Sequence, residues 1–253
     1  MASHVLSDTV TLTARSLRHI ARSPDTIITS AVMPIAIMLM FVYVLGGAIE
    51  TGSTSQVTFM LPGILLITVA SGVAYTSLRL FTDVKAGIFE RFQAMPIARA
   101  SALWAHVLTS LVANLVSVAL VVGVALLIGF RSPAGPTAWL TVAGILTVFT
   151  LSLTWVAVVA GLGAKTAEGA GAFAYPLIFL PFISSAFVPT ASMAGPVRAF
   201  AEHQPVTAIV DALRALLLDQ PVGTDLWVAL AWCVGILVLA ATLAAITYRR
   251  RFG

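Results

Sequence analysis

The feature that most constrains this chain is a series of long apolar runs that carry no Asp, Glu, Lys or Arg. A transmembrane helix needs roughly 20 consecutive apolar residues, and each of these runs meets or approaches that length. They are residues 26–49, 57–78, 101–130, 139–163, 170–188 and 226–248. Charged residues make up only 9% of the chain, whereas typical soluble domains contain about 25%. The sequence therefore predicts an all-α, polytopic membrane protein with six transmembrane helices.

The basic residues predict the orientation of these helices. With an even number of spans, both termini lie on one side, and that side carries eleven of the fourteen lysines and arginines. Only Arg131, Arg198 and Arg214 fall on the other side. Because basic residues concentrate on the cytoplasmic side of a membrane, we expect a multi-pass protein of the inner or plasma membrane with both termini cytoplasmic. The net charge of +4 then reflects topology, and no nucleic-acid partner is expected.

Residues 81–99 form a charged island between the second and third apolar runs. Their apolar members recur every three or four positions, which places them on one face of a helix. These are Phe81, Val84, Ile88, Phe92 and Met95. Asp83 and Glu90 fall on the opposite face, and Pro96 ends the pattern. The segment is predicted to be a cytoplasmic amphipathic helix, either a solvated connection between spans or a contact surface for another protein.

Residues 1–25 carry a second amphipathic pattern, with Arg15, Arg18 and Arg22 on the polar face. Such a helix is suited to lie in the interface of an anionic inner leaflet. A basic tail that only sets the orientation explains the same residues, and the two interpretations are compatible.

Residues 189–224, between the last two runs, are predicted to lie on the outer side of the membrane. Pro196 and Pro205 each stand where a helix can begin, because proline at the first helical position loses no hydrogen bond. Asp211 and Arg214 are three residues apart and can pair on one helix face. Helices this short cannot cross a bilayer, so re-entrant or interfacial packing is expected. A cap with no role in transport is the alternative.

The run 170–188 combines aromatic side chains with Pro176 and Pro181, each of which removes a backbone hydrogen bond and should kink a helix. A kinked aromatic helix is suited to line a path for an apolar or amphipathic solute. Each aromatic taken singly is equally consistent with a lipid-facing or core position. The candidate path residues are Phe173, Tyr175, Phe179, Phe182 and Ser184.

The chain lacks the residues that would power transport or catalysis by itself. It contains no Gly-x-x-x-x-Gly-Lys-Ser/Thr phosphate-binding loop. No run carries a carboxylate or lysine near its middle, where ion-coupled carriers and intramembrane hydrolases usually need one. Asn114, the strongly polar residue of the third run, is expected to form an interhelical hydrogen bond. We therefore predict no catalytic residue, metal or cofactor in this chain, and energy for transport would come from another subunit.

Three groups of residues together resemble the permease subunits of ABC-2 type exporters, which include the daunorubicin-resistance permeases. They are residues 87–91 with 95–99, residues 179–189, and residues 196–200 with 204–207 and 211–214. The resemblance covers essentially the whole chain as one transmembrane domain, 1–253. It implies six transmembrane helices, an N-terminal connecting helix over 1–25, a cytoplasmic coupling helix over 81–99, and outer helices over 189–224 that close the exit.

The resemblance also implies partners and roles. Two separate ATP-binding subunits would carry ATP and Mg²⁺, and a second permease, identical or homologous, would complete a dimer. The coupling segment would contact the ATPase through Asp83, Gly87, Glu90, Arg91, Pro96 and Arg99. An extracellular gate would include Pro205, Asp211 and Arg214. The expected function is export of a small amphipathic compound, drug-like or lipid, from the cytoplasm or inner leaflet. A non-transporting membrane assembly protein is the main alternative, and an ion-coupled carrier is a lesser one.

Overall fold

The computed structural model describes residues 25–44, 55–88 and 99–252, and all regular structure within these ranges is helical. Four long helices dominate: α2 (Gln56–Lys85), α3 (Arg99–Leu127), α4 (Pro136–Gly163) and α9 (Asp225–Phe252). A shorter helix, α1 (Asp25–Leu39), precedes them and continues as a π-helical turn, Met40–Val44. Between α4 and α9 lie α5 (Ala167–Ala172), α6 (Ala174–Phe179), α7 (Gly195–His203) and α8 (Pro205–Leu217), with 3₁₀ turns at Leu180–Ile183 and Thr190–Ser192.

The long helices agree with four of the predicted spans. Among the described residues, α2, α3, α4 and α9 are long and apolar enough to cross a membrane. The first predicted span is described only as far as Val44, and the fifth is broken into short pieces. A multi-pass helical membrane protein is thereby supported, and the count of six spans stays a prediction. The predicted helix over residues 1–25 lies almost wholly outside the described residues.

Helix α2 lies at the centre of the bundle. It packs against α1, α3, α4, α5, α6 and α8, and side chains on all its faces are buried between Val57 and Val84. A helix that is apolar on every side is expected to be enclosed by other helices. Ser55 caps its first turn, because the Ser55 hydroxyl accepts a hydrogen bond from the Thr58 amide at 3.4 Å.

Two glycines permit close contact between α2 and its neighbours. A Cβ atom at Gly161 in α4 would lie 2.7 Å from the Ser77 carbonyl oxygen of α2. A Cβ atom at Gly72 in α2 would lie 2.0 Å from Oδ1 of Asn114 in α3. Both distances are too short for a carbon atom, so alanine at Gly161 would separate α2 from α4, whereas alanine at Gly72 would displace the Asn114 side chain.

Asn114 bonds differently from the sequence-based expectation. Its Nδ2 donates to the backbone oxygen of Ser110, at 2.9 Å, and to the Ser110 hydroxyl, at 3.2 Å, both within α3. The prediction that Asn114 forms an interhelical hydrogen bond is therefore wrong in this structure. The Ser110 hydroxyl in turn lies 2.6 Å from that of Thr76 in α2 and 3.5 Å from that of Thr154 in α4. The helices are thus linked through the serine one turn away.

The predicted coupling helix is also corrected at its beginning. Residues 81–85 are the last turn of α2, which ends at Ala86. Gly87 follows with a φ of 69°, a left-handed conformation that glycine adopts without steric cost. The prediction of one continuous amphipathic helix from residue 81 is therefore wrong. Helix α2 runs past residue 78, the predicted end of the second span, and Gly87 then interrupts the helical path. Residues 89–98 lie outside the described residues.

The predicted fifth span is interrupted where its prolines stand. Pro176 lies inside α6 and Pro181 inside the following 3₁₀ turn. Neither can donate to the carbonyl four residues earlier, and the backbone becomes extended at Ser184. The predicted kinking is confirmed, and it amounts to a break into α5, α6 and a 3₁₀ turn.

Contacts at the two ends of the bundle agree with the predicted grouping of segments. At one end, Ser132 between α3 and α4 donates a hydrogen bond to the Leu217 carbonyl at the end of α8, at 2.6 Å. At the other end, Arg251 of α9 donates to the Leu162 carbonyl of α4. The segments assigned to the outer and cytoplasmic sides thus occupy opposite ends. Which end faces the cytoplasm stays a prediction.

Candidate functional site

Helix α8 carries the strongest concentration of polar contacts that the structure describes. It begins at Pro205, which stands in its first turn, as predicted. One face is apolar and buried, which fixes the rotation of the helix against α2. The buried members of this face are Val206, Ile209, Val210, Ala212, Leu213 and Leu217. Arg214 lies beside this face, and only 15% of its side chain is exposed.

The Arg214 guanidinium joins three separate parts of the chain. Its Nη1 donates to Oδ1 of Asp211 at 2.9 Å, which confirms the predicted pair. Its Nη2 donates to the carbonyl oxygens of Ser185, at 2.6 Å, and Phe59, at 3.2 Å. Its Cζ also lies 4.1 Å from the centre of the Phe59 ring, which is within the range of a cation–π contact. The same Nη2 donates to the Ala186 carbonyl oxygen at 3.4 Å. We call Phe59, Ser185, Ala186, Asp211 and Arg214 the Arg214 cluster.

The carboxylate of Asp211 has a second partner in this cluster. The Ser185 hydroxyl donates to Asp211 Oδ1 at 2.6 Å. Burial raises the pKa of Asp211 above its ordinary value of 3.8, although the Ser185 hydrogen bond and the positive charge of Arg214 oppose this. Burial likewise lowers the pKa of Arg214, against the attraction of Asp211. Loss of hydration is thus the largest influence on the pKa values of both groups. The two side chains pair even though burial disfavours their charged forms.

The segment between α6 and α7 is held by side chains instead of by helical hydrogen bonds. The Ser184 hydroxyl donates to the Pro181 carbonyl at 2.6 Å and accepts from the Ala186 amide at 3.1 Å. Gln204, just before α8, donates through Nε2 to the Ile183 carbonyl. With Arg214 on Ser185, these contacts attach the broken fifth segment to α8. The arrangement can be released by moving side chains, without unwinding a helix.

The candidate path residues separate into two environments. Phe182 stacks on Phe187, with ring centres 5.0 Å apart, and Phe187 stacks on Phe41 of the π-helical turn at 4.7 Å. Phe179 adjoins Phe182 at 6.2 Å and is exposed, as is Tyr175 one turn earlier. Phe173 and Phe182 are both half-buried against the core, and Ser184 is fully buried. The structure therefore brings Phe179 and Phe182 together and places Ser184 away from any exposed surface.

The described coupling residues lie at the opposite end of α2. Asp83 Oδ2 is 3.2 Å from Nε2 of His106 in α3. Gly87 ends the helical path of α2, and Arg99 is the first residue of α3. Glu90, Arg91 and Pro96 lie outside the described residues.

Sequence reasoning missed Phe59, Ser185 and His106 as members of these sites. Phe59 and Ser185 contribute backbone oxygens to Arg214, and a carbonyl has no residue signature. His106 lies near the start of the third apolar run, and the sequence carries no information on the residue of α2 that faces it.

The pKa of Asp211 gives a pH prediction. Because this pKa is raised on folding, the folded state binds the Asp211 proton more tightly than the unfolded state does. The contribution of Asp211 to stability should therefore decline as pH rises from 3.8 through the raised folded-state value. Asp211→Asn, which mimics the protonated form, should be about as stable as the wild type at acidic pH, should be more stable than the wild type at neutral pH, and should lack this dependence. Thermal unfolding of both proteins between neutral and acidic pH measures the difference. A wild type that gains stability relative to Asp211→Asn as pH rises would contradict it.

Comparisons with known proteins agree with this architecture. A family model described as ABC-2 type transporter matches residues 7–218. The chain is 29% identical to the daunorubicin resistance ABC transporter permease protein DrrB1 of Streptomyces coeruleorubidus, over 97% of this chain and 87% of that protein. It is 30% identical to the probable doxorubicin resistance ABC transporter permease protein DrrC of Mycobacterium tuberculosis, over 97% of this chain and 89% of that protein. The chain therefore belongs to the ABC-2 type transporter family, as a membrane permease subunit.

Proposed function

We propose that this permease exports an apolar or amphipathic, drug-like compound from the cytoplasm or inner leaflet. Two relatives that match nearly the whole chain are named for daunorubicin and doxorubicin resistance. Lipid export is the second substrate class that the apolar surfaces suit. We also propose that the protein lies in the inner or plasma membrane with both termini cytoplasmic, which the distribution of its basic residues supports.

The energy is proposed to come from two copies of an ATP-binding subunit that carry ATP and Mg²⁺. A second permease, identical or homologous, would complete the complex. The chain itself has no phosphate-binding loop, and its family consists of transporter membrane subunits. The cytoplasmic segment 81–99, with Glu90, Arg91, Pro96 and Arg99, is proposed as the contact with the ATPase.

The observation that carries the mechanism is the Arg214 cluster. It joins the first turn of α2, the broken fifth segment and α8 at the end predicted to be outer. Closure of the ATPases would move the cytoplasmic end of α2, and α2 reaches the cluster as one unbroken helix from Lys85 to Gln56. In this proposal, Arg214 holds the exit closed, and displacement of α2 releases the Phe59 carbonyl and opens it.

The path is proposed to run beside the exposed rings of Tyr175 and Phe179, next to the stack formed by Phe41, Phe182 and Phe187. Planar apolar surfaces stack favourably on such rings. Ser184 would contribute only after the fifth segment rearranges, because it is fully buried, whereas Phe173 is half-buried, as Phe182 is.

The proposed coupling contact leads to a prediction for Glu90→Ala and Arg91→Ala. Each variant should lose about tenfold in transport, because charged contacts at an interface that lose one partner typically cost enough for such an effect. Transport of daunorubicin by proteoliposomes containing the permease and its ATPase is the measurement. Glu168→Ala, which removes an exposed carboxylate in the first turn of α5, serves as the control.

The same experiment tests the proposed function as a whole. Co-purification with an ATP-binding subunit and ATP-dependent transport by the wild type would support it. A permease that is active without any ATPase, or a complex that hydrolyses ATP and moves no apolar compound or lipid, would refute it. The second outcome would favour a non-transporting assembly protein.

A further inference from the structure

The Asp83–His106 pair connects the two helices that flank the proposed coupling segment. Asp83 lies in the last turn of α2, and His106 lies in the second turn of α3. The carboxylate and the imidazole are 3.2 Å apart, and their side chains are only 24% and 14% exposed. The pair therefore crosses the base of the connection formed by residues 86–98, at a depth where it is largely protected from solvent.

The described backbone, as far as Ile88, does not provide an equivalent connection. Helix α2 ends at Ala86, and Gly87 turns the chain with a φ of 69°. The last amides bond back into α2, since Ala86 donates to Thr82 and Gly87 to Val84. A force applied beyond Gly87 would therefore meet a turn, and not a continuous helix. A side-chain contact between α2 and α3 can transmit such a force where the helical hydrogen bonds have stopped.

The pair lies next to a packed layer that reaches the rest of the bundle. Buried apolar residues from four helices form one cluster at this end of the molecule. They are Leu80 and Val84 of α2, Leu103 and Val107 of α3, Trp155, Val158 and Leu162 of α4, and Ala240 and Ala244 of α9. The glycine contact of Gly161 with Ser77 lies in the same region. Movement of α2 and α3 together would consequently be passed to α4 and α9, because close-packed interiors transmit displacement.

Local helix electrostatics does not explain the position of Asp83. The C-terminal end of a helix carries partial negative charge, which disfavours a carboxylate and favours a cation in the last turn. Asp83 is thus placed against the field of its own helix. A partner on another helix accounts for its position better than any contribution to α2 alone.

We propose that Asp83 and His106 are positioning residues that make α2 and α3 move as one body beneath the coupling segment. The proposal rests on the proposed function, since it assumes that an ATPase acts on residues 86–98. It adds His106 to the coupling machinery and gives Asp83 a role inside the permease, instead of at the ATPase surface. Breaking the pair should leave ATP hydrolysis running while less of it is converted into transport.

The test compares Asp83→Asn, His106→Gln and the reciprocal double variant Asp83→His with His106→Asp. Each is reconstituted with the ATP-binding subunit in proteoliposomes, and daunorubicin moved per ATP hydrolysed is measured. We expect this ratio to fall about fivefold in each single variant, the scale of coupling between contacting side chains. The double variant restores the contact with the two side chains exchanged, and should recover most of the ratio. Glu202→Gln, which removes a carboxylate from the exposed pair with Arg198, is the matched control.

Two further readouts separate a positioning role from a structural one. Thermal unfolding of each purified variant shows whether lost coupling only follows lost stability, and that result would overturn the proposal. Co-purification with the ATPase should be unchanged. If the complex forms and the single variants keep the wild-type ratio, the positioning role is wrong and the proposed function stands. If the wild type itself neither binds an ATPase nor transports, the proposed function fails and the positioning role fails with it.

Discussion

Arg214→Ala is expected to lower the free energy of unfolding by about 3 kcal/mol, because it removes a guanidinium that is only 15% exposed and bonds three acceptors, and it leaves the half-buried Asp211 without its cation. The carbonyls of Ser185 and Phe59 would lose their donor at the same time. Transport should fall with the loss of the closed exit. Arg214→Lys should recover little of the stability or transport that Arg214→Ala loses. A single ammonium cannot reproduce the planar set of donors that reaches three acceptors. Thermal unfolding and transport by the reconstituted complex measure the two effects.

The neighbouring helix offers a matched control for this substitution. Arg198 of α7 pairs with Glu202 at 2.7 Å, but the two side chains are 50% and 37% exposed. An exposed pair of this kind contributes at most about 0.5 kcal/mol. Arg198→Ala should therefore leave stability and transport nearly unchanged. Equal losses in the two arginine variants would show that burial of the Arg214 cluster has no special role.

Gly161→Ala should have the second largest effect, a loss of about 2 kcal/mol from overpacking. The added Cβ would lie 2.7 Å from the Ser77 carbonyl and 3.2 Å from atoms of Leu80. The Ser77 oxygen is backbone at the centre of the bundle, so α2 and α4 would have to separate. Transport should fall too, because the displacement lies in the layer next to Asp83 and His106. Thermal unfolding of the purified permease in detergent measures the loss of stability.

Gly144→Ala is the corresponding control in the same helix. Nothing lies within 4 Å of a Cβ at Gly144, and alanine is favoured over glycine within a helix by up to about 1 kcal/mol. This variant should be as stable as the wild type or slightly more so. A Gly161→Ala protein that behaves like Gly144→Ala would mean that α2 and α4 are not in close contact at this point.

The sequence predicted the elements better than their contacts. Hydropathy located α2, α3, α4 and α9, because an apolar run of sufficient length has few alternatives to a transmembrane helix. Pro196 and Pro205 marked the beginnings of α7 and α8, where the local chemistry of proline is decisive. The pairing of Asp211 with Arg214 followed from helical spacing alone.

Contacts between distant segments required the structure. Arg214 reaches the Phe59 carbonyl across most of the chain, and no side-chain pattern identifies a backbone oxygen as a partner. The contact of Asp83 with His106 depends on the offset of α2 against α3 along their axes, which the sequence does not show. The end of α2 was misplaced because amphipathic periodicity continued through Gly87, while the backbone did not.

The enclosure of α2 has a consequence for how the protein is made. In its most apolar window, 83% of α2 is buried in the folded bundle, against 22% for α9. Helices enter the bilayer in chain order, and α2 is synthesised before α4, α8 and α9. Until α3 and α4 arrive, lipid must cover the faces of α2 that they bury in the folded bundle, and the Thr76 hydroxyl lacks the Ser110 hydroxyl that lies 2.6 Å from it there.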